Sequence, residues 1–290
     1  MVNECGGFGW PEGAWKLGLP GEKMAMRLQI LGSGSSGNCA LLQTEDARVL
    51  IDAGFSWRKL NELLRAADTR MEEIDAVFLT HEHGDHAAGV DGFKKHPRVQ
   101  IYANAATARA VQAKAGREAM WKIFETGTTF RFRDLEVTSF MVPHDAQEPV
   151  GFRFSNGHEG DLFTPRRSLA WLTDLGHAPG HVYRHLRESD VVVVESNHCP
   201  RLLEADHRRP WSTKQRISGR HGHLSNVAAC ELLEATAHSG WRRIFLTHLS
   251  RDCNSLEAVE QSFAGLRARL GEACGLEIVA PGGGTNAWEW

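Results

Sequence analysis

No two of the six cysteines form a CxxC pair; they stand alone at 5, 39, 199, 230, 253 and 274. Scattered cysteines in a chain of this length are expected to be small buried apolar residues of a reduced, cytoplasmic protein. No stretch approaches the ~20 consecutive apolar residues of a membrane span. The first 25 residues carry Gly6, Gly7, Gly9, Gly13, Gly18 and Gly21 with Pro11 and Pro20, and they lack the apolar segment of a signal peptide. Residues 1–25 are therefore expected to form a flexible N-terminal extension, with Met24 or Met26 as alternative starts. Charge bias is also missing. A net charge of −3 excludes coating of nucleic acid by bulk charge, while leaving room for a local basic groove. No internal repeat stands out.

What is present is an ordinary globular composition. The 290 residues are 42% hydrophobic and 24% charged, enough for one large α/β domain or two small ones. Regular patterning begins at Met26. Apolar runs predict strands at 27–31, 39–42, 48–51, 76–79, 100–103, 136–142, 150–154, 169–173, 191–195 and 244–247. Between the first two lies Gly32-Ser33-Gly34-Ser35-Ser36-Gly37-Asn38. It lacks the lysine of a phosphate-binding P-loop and runs into another strand, so it predicts a tight turn. Helical spacing of Trp57, Leu60, Leu63, Leu64 and Ala67 predicts a helix over 56–67, capped by Ser56. Further helices are predicted over 105–115, 225–237 (capped by Ser225) and 256–270. The tract 201–220 has little periodicity and reads as a long surface loop. Strands early and late with helices between them suit two sheets with helices on their outer faces, a single four-layer αββα domain over residues 26–290.

One run carries chemistry. His81-Glu82-His83-Gly84-Asp85-His86 directly follows the predicted strand 76–79. Imidazole nitrogen and carboxylate oxygen both suit zinc and related divalent ions. A turn this short at a strand end can aim His81 and His83 at one point and Asp85 and His86 at another. A metal pair needs more ligands, and three further strand ends supply candidates: His144 after 136–142, Asp174 after 169–173, and His248 after 244–247. Each alone is an ordinary polar residue at a strand end. In this order after HxHxDH they form a ligand set.

On these residues the chain resembles the metallo-β-lactamase superfamily from about Met26 onward. The resemblance assigns His81, His83 and His144 to a first metal ion, Asp85, His86 and His248 to a second, and Asp174 to both. It makes Asp52, in Val49-Leu50-Ile51-Asp52-Ala53-Gly54, the aspartate that supports the histidine loop from behind. Leu31 to Asn38, Glu195-Ser196-Asn197-His198, Gly222-His223-Leu224-Ser225-Asn226 and Thr247 to Asn254 resemble the YycJ (WalJ) subgroup, which is associated with DNA exonuclease activity. The order of His223, helix, strand and His248 is also similar to RNase Z. The chain departs from the subgroup at Cys199, where an aspartate is expected, and at Phe163-Thr164-Pro165-Arg166-Arg167, which reads as a lengthened hairpin.

These resemblances imply a hydrolase of phosphodiesters, with a thioesterase, lactonase or cyclic phosphodiesterase as the alternative. Two divalent metal ions, zinc by ligand type or manganese, would lower the pKa of a shared water toward ~7, and the resulting hydroxide would attack phosphorus. Asp85 and His223 are the expected catalytic side chains, with His223 protonating the leaving oxygen. Its place just before a helix N-terminus favours an anionic phosphate. Ser225, Asn226 and Asn197 are the expected substrate contacts. Arg201, Arg208, Arg209, Lys214, Arg216 and Arg220 form a local basic tract that can track a phosphate backbone. The partners implied are nucleic acid or another phosphodiester, no membrane, and a second copy as a homodimer.

Overall fold

The structure, a computed structural model, describes residues 26–115, 119–157 and 165–290. The expected flexible extension over 1–25 lies outside the described residues, as do Cys5, Phe163 and Thr164 of the lengthened hairpin. In chain order the elements are β1 (Arg27–Gly32), β2 (Cys39–Gln43), β3 (Arg48–Ile51), α1 (Trp57–Ala66), β4 (Ala76–Phe78), α2 (Gly84–Ala87), β5 (Gln100–Asn104), α3 (Ala105–Lys114), β6 (Trp121–Phe124) and β7 (Thr129–Phe132). They continue as β8 (Leu135–Met141), β9 (Val150–Asn156), β10 (Arg167–Leu172), α4 (Gly180–Arg187), β11 (Val191–Glu195), α5 (Pro200–Ala205), α6 (Trp211–Ser218), α7 (Asn226–Thr236), β12 (Arg243–Thr247), α8 (Leu256–Leu270), β13 (Gly275–Ile278) and β14 (Trp288–Glu289).

Period-two alternation explains the layering. In β11, Val191 and Val193 point toward the opposite sheet while Val192 and Val194 point toward helices, so a strand buried on both faces reads as an unbroken apolar run. The described strands form two sheets of seven, in the orders β14-β1-β2-β3-β4-β5-β6 and β13-β12-β11-β10-β9-β8-β7. β3 to β6 run parallel, as do β10 to β13. The two sheets meet through Leu28, Ile30, Val49, Ile51 and Phe78 on one side and Val137, Phe152, Phe154, Trp171 and Phe245 on the other. Phe78 stacks on Tyr102 at 4.7 Å and meets Phe154 edge-on at 5.4 Å. One outer face is covered by α1 and α3 through Leu60, Leu64, Ala108 and Val111. The other is covered by α4, α7 and α8 through Val182, Leu233 and Phe263. This is the expected αββα sandwich.

Local rules hold at the helix starts. Ser56 and Ser225 cap their helices as expected, their side chains accepting from Lys59 N and Ala228 N. The Gly/Ser cluster is a turn, closed by Gly37 N donating to Gly34 O at 2.9 Å. The five described cysteines are free and buried. No helix among the described residues is long and apolar enough to cross a membrane. One expectation is corrected: 201–220 is not a loop but holds α5 and α6. α6 buries no residue, so it leaves no hydrophobic periodicity to read. β6 and β7 escaped for a similar reason, each having one buried residue.

Two features make stability predictions. A Cβ on Gly54 would lie 1.7 Å from the Asp85 carbonyl oxygen, so only glycine lets the end of β3 pack against α2. Gly54→Ala should lower stability by about 1–3 kcal/mol or more, read as a lower urea midpoint; an unchanged midpoint contradicts this contact. Burial against Phe140, with Arg153 nearby, pushes the His185 imidazole down to about 4. The unfolded imidazole titrates near ~6.5. Between these values the unfolded chain holds the extra proton, so stability falls as pH falls. His185→Gln should flatten the pH dependence of stability across that window, and an equally steep curve contradicts the assignment.

Candidate metal centre

The C-terminal ends of β3, β4, β8, β10, β11 and β12 lie along one edge of the sandwich, and each delivers a polar side chain there. β4 runs into Thr80 and His81. α2 then winds Asp85 and His86 inward from His83, its N-cap. The loop is pinned by backbone bonds from Ala53 N to His86 O at 2.7 Å and from Asn38 N to Asp85 O at 2.8 Å. Asp52, Asp174 and His248 adopt left-handed backbone conformations, with φ of 60°, 60° and 54°. Non-glycine residues rarely do so, and such residues cluster where function demands a particular aim.

All seven expected ligands converge. His81, His83 and His144 bring ligand atoms within 4.8 Å of one another, as do Asp85, His86 and His248. His144 Nε2 lies 3.3 Å from His83 Nδ1. Asp85 Oδ2 lies 3.6 Å from His86 Nε2 and 3.5 Å from His248 Nε2. Asp174 stands between the two groups. Its Oδ2 is 3.0 Å from His86 Nε2, and its Oδ1 is 3.6 Å from His248 Nε2 and 3.8 Å from His144 Nε2. Tetrahedral ligands ~2.0–2.1 Å from one zinc ion sit ~3.3 Å apart, so these spacings fit. Burial agrees: His81 Nε2 and His248 Nε2 are buried with no hydrogen-bond partner among the described residues. Orphaned nitrogens of this kind are costly unless a cation takes them. The cluster is able to hold metal ions.

The far sides of the His81, His86, His144 and His248 rings are held by oxygen. Asp52, fully buried, places Oδ2 2.8 Å from His86 Nδ1 and accepts from Thr80 N at 2.8 Å. Thr80 Oγ1 lies 3.1 Å from His81 Nδ1, and the Gly222 carbonyl lies 3.0 Å from His144 Nδ1. Such partners fix the tautomer and turn the other nitrogen toward the centre. Asp52 thus sits behind the histidine loop.

Electrostatics split the histidines. Burial, then the neighbouring His86, drives His81 well below the ordinary imidazole range. Burial likewise lowers His144. Burial also opposes charge on His86, but Asp174, Asp52 and Asp85 outweigh it and raise its pKa. Burial opposes ionisation of Asp174 too, yet His248 and His86 hold it well below the carboxylate range. Ionised carboxylates in a buried cradle attract cations.

His223 packs against this cluster. Its ring centroid is 5.0 Å from that of His144 and 5.2 Å from that of His248, and its Nδ1 is 3.5 Å from Asp174 Oδ1. Behind it stands Glu195, a functional side chain that reading the sequence had not singled out. Glu195 ends β11 fully buried, with Oε2 3.0 Å from His223 Nδ1 and 3.4 Å from His248 Nδ1. Its Oε1 accepts from Leu175 N at 2.8 Å and Leu224 N at 3.0 Å. The available signal was an acid closing a wholly apolar strand.

The expected substrate contacts separate. Ser225 caps α7 with its hydroxyl. Asn197 lies behind the ligands, donating to the His248 carbonyl at 2.9 Å. Asn226, fully buried, accepts from Ser196 Oγ at 2.7 Å and donates to Asn254 Oδ1 at 2.9 Å, so it braces the loop beneath α7. The basic tract is partly neutralised. Arg208 and Arg209 pair with Asp206 and Asp252, and Arg216 pairs with Asp145, next to His144.

Comparison with known proteins agrees with this geometry. Residues 47–249 match the model of the Beta-lactamase superfamily domain. The sequence is 32% identical to Exodeoxyribonuclease WalJ of Streptococcus pneumoniae over 260 residues, 88% of this chain and 93% of the relative. It is 32% identical to Exodeoxyribonuclease YycJ of Bacillus anthracis over 241 residues, 82% of this chain and 88% of the relative. In fold it is similar to the crystal structure of the metallo-beta-lactamase fold protein YhfI from Bacillus subtilis, with a TM-score of 0.65 and 18% identity across 92% of this chain and 100% of that one. The chain belongs to the β-lactamase superfamily and is a hydrolase of the metallo-β-lactamase fold.

Proposed function

We propose that the protein is a phosphodiesterase of nucleic acid, a DNA exonuclease working with two divalent ions, zinc by the nature of its ligands. The observation that carries this reading is an intact seven-residue cradle in a chain 32% identical, over nearly its whole length, to exodeoxyribonucleases. His81, His83 and His144 would hold the first ion, Asp85, His86 and His248 the second, and Asp174 would serve both. Bound there, the ions supply Lewis acidity and a water acidic enough to ionise near neutrality.

The chain's own residues supply positioning and protons. Asp52, Glu195, Asn197 and the Gly222 carbonyl fix the ligand rings. Asp85 keeps 25% of its side chain exposed on the open side, where it can take up the proton of the attacking water. His223 gives a proton to the leaving oxygen. Burial opposes its charge, but the adjacent Glu195 carboxylate, with Asp174, raises its pKa above the ordinary imidazole value. A raised pKa extends the pH range over which this donor carries its proton.

His81→Ala should lose metal and turnover together, measured by metal analysis and DNA hydrolysis. His223→Ala should keep its metal and lose about 10²–10⁴ in kcat. A panel of double-stranded DNA, single-stranded RNA, bis-p-nitrophenyl phosphate and a lactone tests the substrate class. Turnover of the lactone alone, or full activity after exhaustive chelation, contradicts the proposal. A second prediction concerns pH. A proton donor works below its pKa, so the rate should fall as pH rises through the His223 pKa. Removing the neighbouring charge lowers that pKa. In Glu195→Gln protein that retains its metal, the alkaline limb of the rate profile should move to lower pH; an unmoved limb removes Glu195 from this role.

A further inference from the structure

On the far side of His223 from the metal cradle lies a second cavity, about 400 Å³ in volume. It is roofed by α5 and α6 and floored by the start of α7. That volume falls within the ~300–1,000 Å³ of small-ligand sites. It has room for a single base with its sugar.

Its lining is that of a site for a flat, uncharged, heteroaromatic group. Pro200, Leu203 and Ala228 supply apolar contact. Trp211 stands at the mouth on α6 with 69% of its surface exposed, although a large apolar side chain gains nothing from solvent there. In the lining Lys214 stands against Glu204, and His223, whose pKa is raised, is held against the Glu195 carboxylate, so the net charge facing the cavity is small. At its inner end His198 is 3% exposed and its imidazole makes no hydrogen bond among the described residues; Nδ1 is enclosed, which leaves Nε2 as the nitrogen a ligand can reach. A buried ring with unused polar atoms calls for a partner, and the polar edge of a base supplies one.

We propose that this cavity receives the unpaired base of the terminal nucleotide, stacked on Trp211 with its polar edge toward His198, so that the adjoining phosphate reaches the metal cradle beyond His223. The proposal rests on the phosphodiesterase reading above and adds what is read: one unstacked base at a strand end, in place of duplex. Sequence tolerance follows, because every base has a π-face.

Two measurements test it on the metal-loaded protein. In the first, calorimetry compares 2′-deoxyadenosine 5′-monophosphate with 2-deoxyribose 5-phosphate, which lacks the base. The base should tighten binding roughly tenfold, the effect of one stacked base. Trp211→Ala should erase that difference and Trp211→Phe should restore most of it. In the second, single-stranded oligonucleotides carry an abasic residue at either end in turn. The abasic residue at the attacked end should raise KM about tenfold for the wild type and leave KM unmoved for Trp211→Ala. Equal binding of the two phosphates, or an abasic penalty that persists undiminished in Trp211→Ala, overturns the proposal. If the base difference depends on Trp211 but no polynucleotide is degraded, the cavity stands and the exonuclease reading is what fails.

Discussion

Six imidazoles and three carboxylates are held together at one edge of the sandwich, most of them buried, and His81 Nε2 and His248 Nε2 have no hydrogen-bond partner among the described residues. Within protein such a cluster is self-opposed: the histidines repel one another's charge, burial penalises every ionised form, and nitrogens are left unpaired. Cations resolve all of these conflicts together. The surrounding architecture is then understandable as scaffolding for that cluster. Left-handed backbone at Asp52, Asp174 and His248 costs free energy that local contacts alone do not return. The two sheets and their flanking helices fix those strand ends firmly enough to keep the strain in place.

Positioning follows from the topology. Parallel strands β3, β4 and β5 in one sheet and β10, β11 and β12 in the other end on the same edge, so residues far apart in sequence arrive together. The buffering groups come from the same ends. Asp52 closes β3 behind His86, and Glu195 closes β11 between His223 and His248. Glu195 is thereby the joint between the His248 and His223 rings. Its carboxylate touches a ring that faces the cradle and a ring that also walls the neighbouring cavity, so cradle and cavity share one support.

Much of this was legible in the sequence because the signals were local. HxHxDH after a buried strand, the strand-end His144, Asp174 and His248, the caps Ser56 and Ser225, and α8 over 256–270 each depend on neighbours within a few residues. What escaped depends on distant partners or on the surface. Glu195 acquires its role only when β11 is set between β10 and β12. Asn226 looks like a polar residue open to substrate until Ser196 and Asn254 close around it. Helices α5 and α6 were hidden because they lie on the outside: α6 buries nothing fully, and its largest apolar residue, Trp211, faces solvent. The basic tract read as free charge because the aspartates that neutralise it, Asp145 and Asp252, come from other segments.

The proposed cradle requires a pair of ions that share Asp174. Anomalous diffraction at the zinc edge, from crystals of the metal-loaded protein, locates them. Two peaks are expected about 3.5–4 Å apart, one among His81, His83 and His144, the other among Asp85, His86 and His248, with Asp174 between them. A single peak, or peaks away from Asp174, would contradict this pairing.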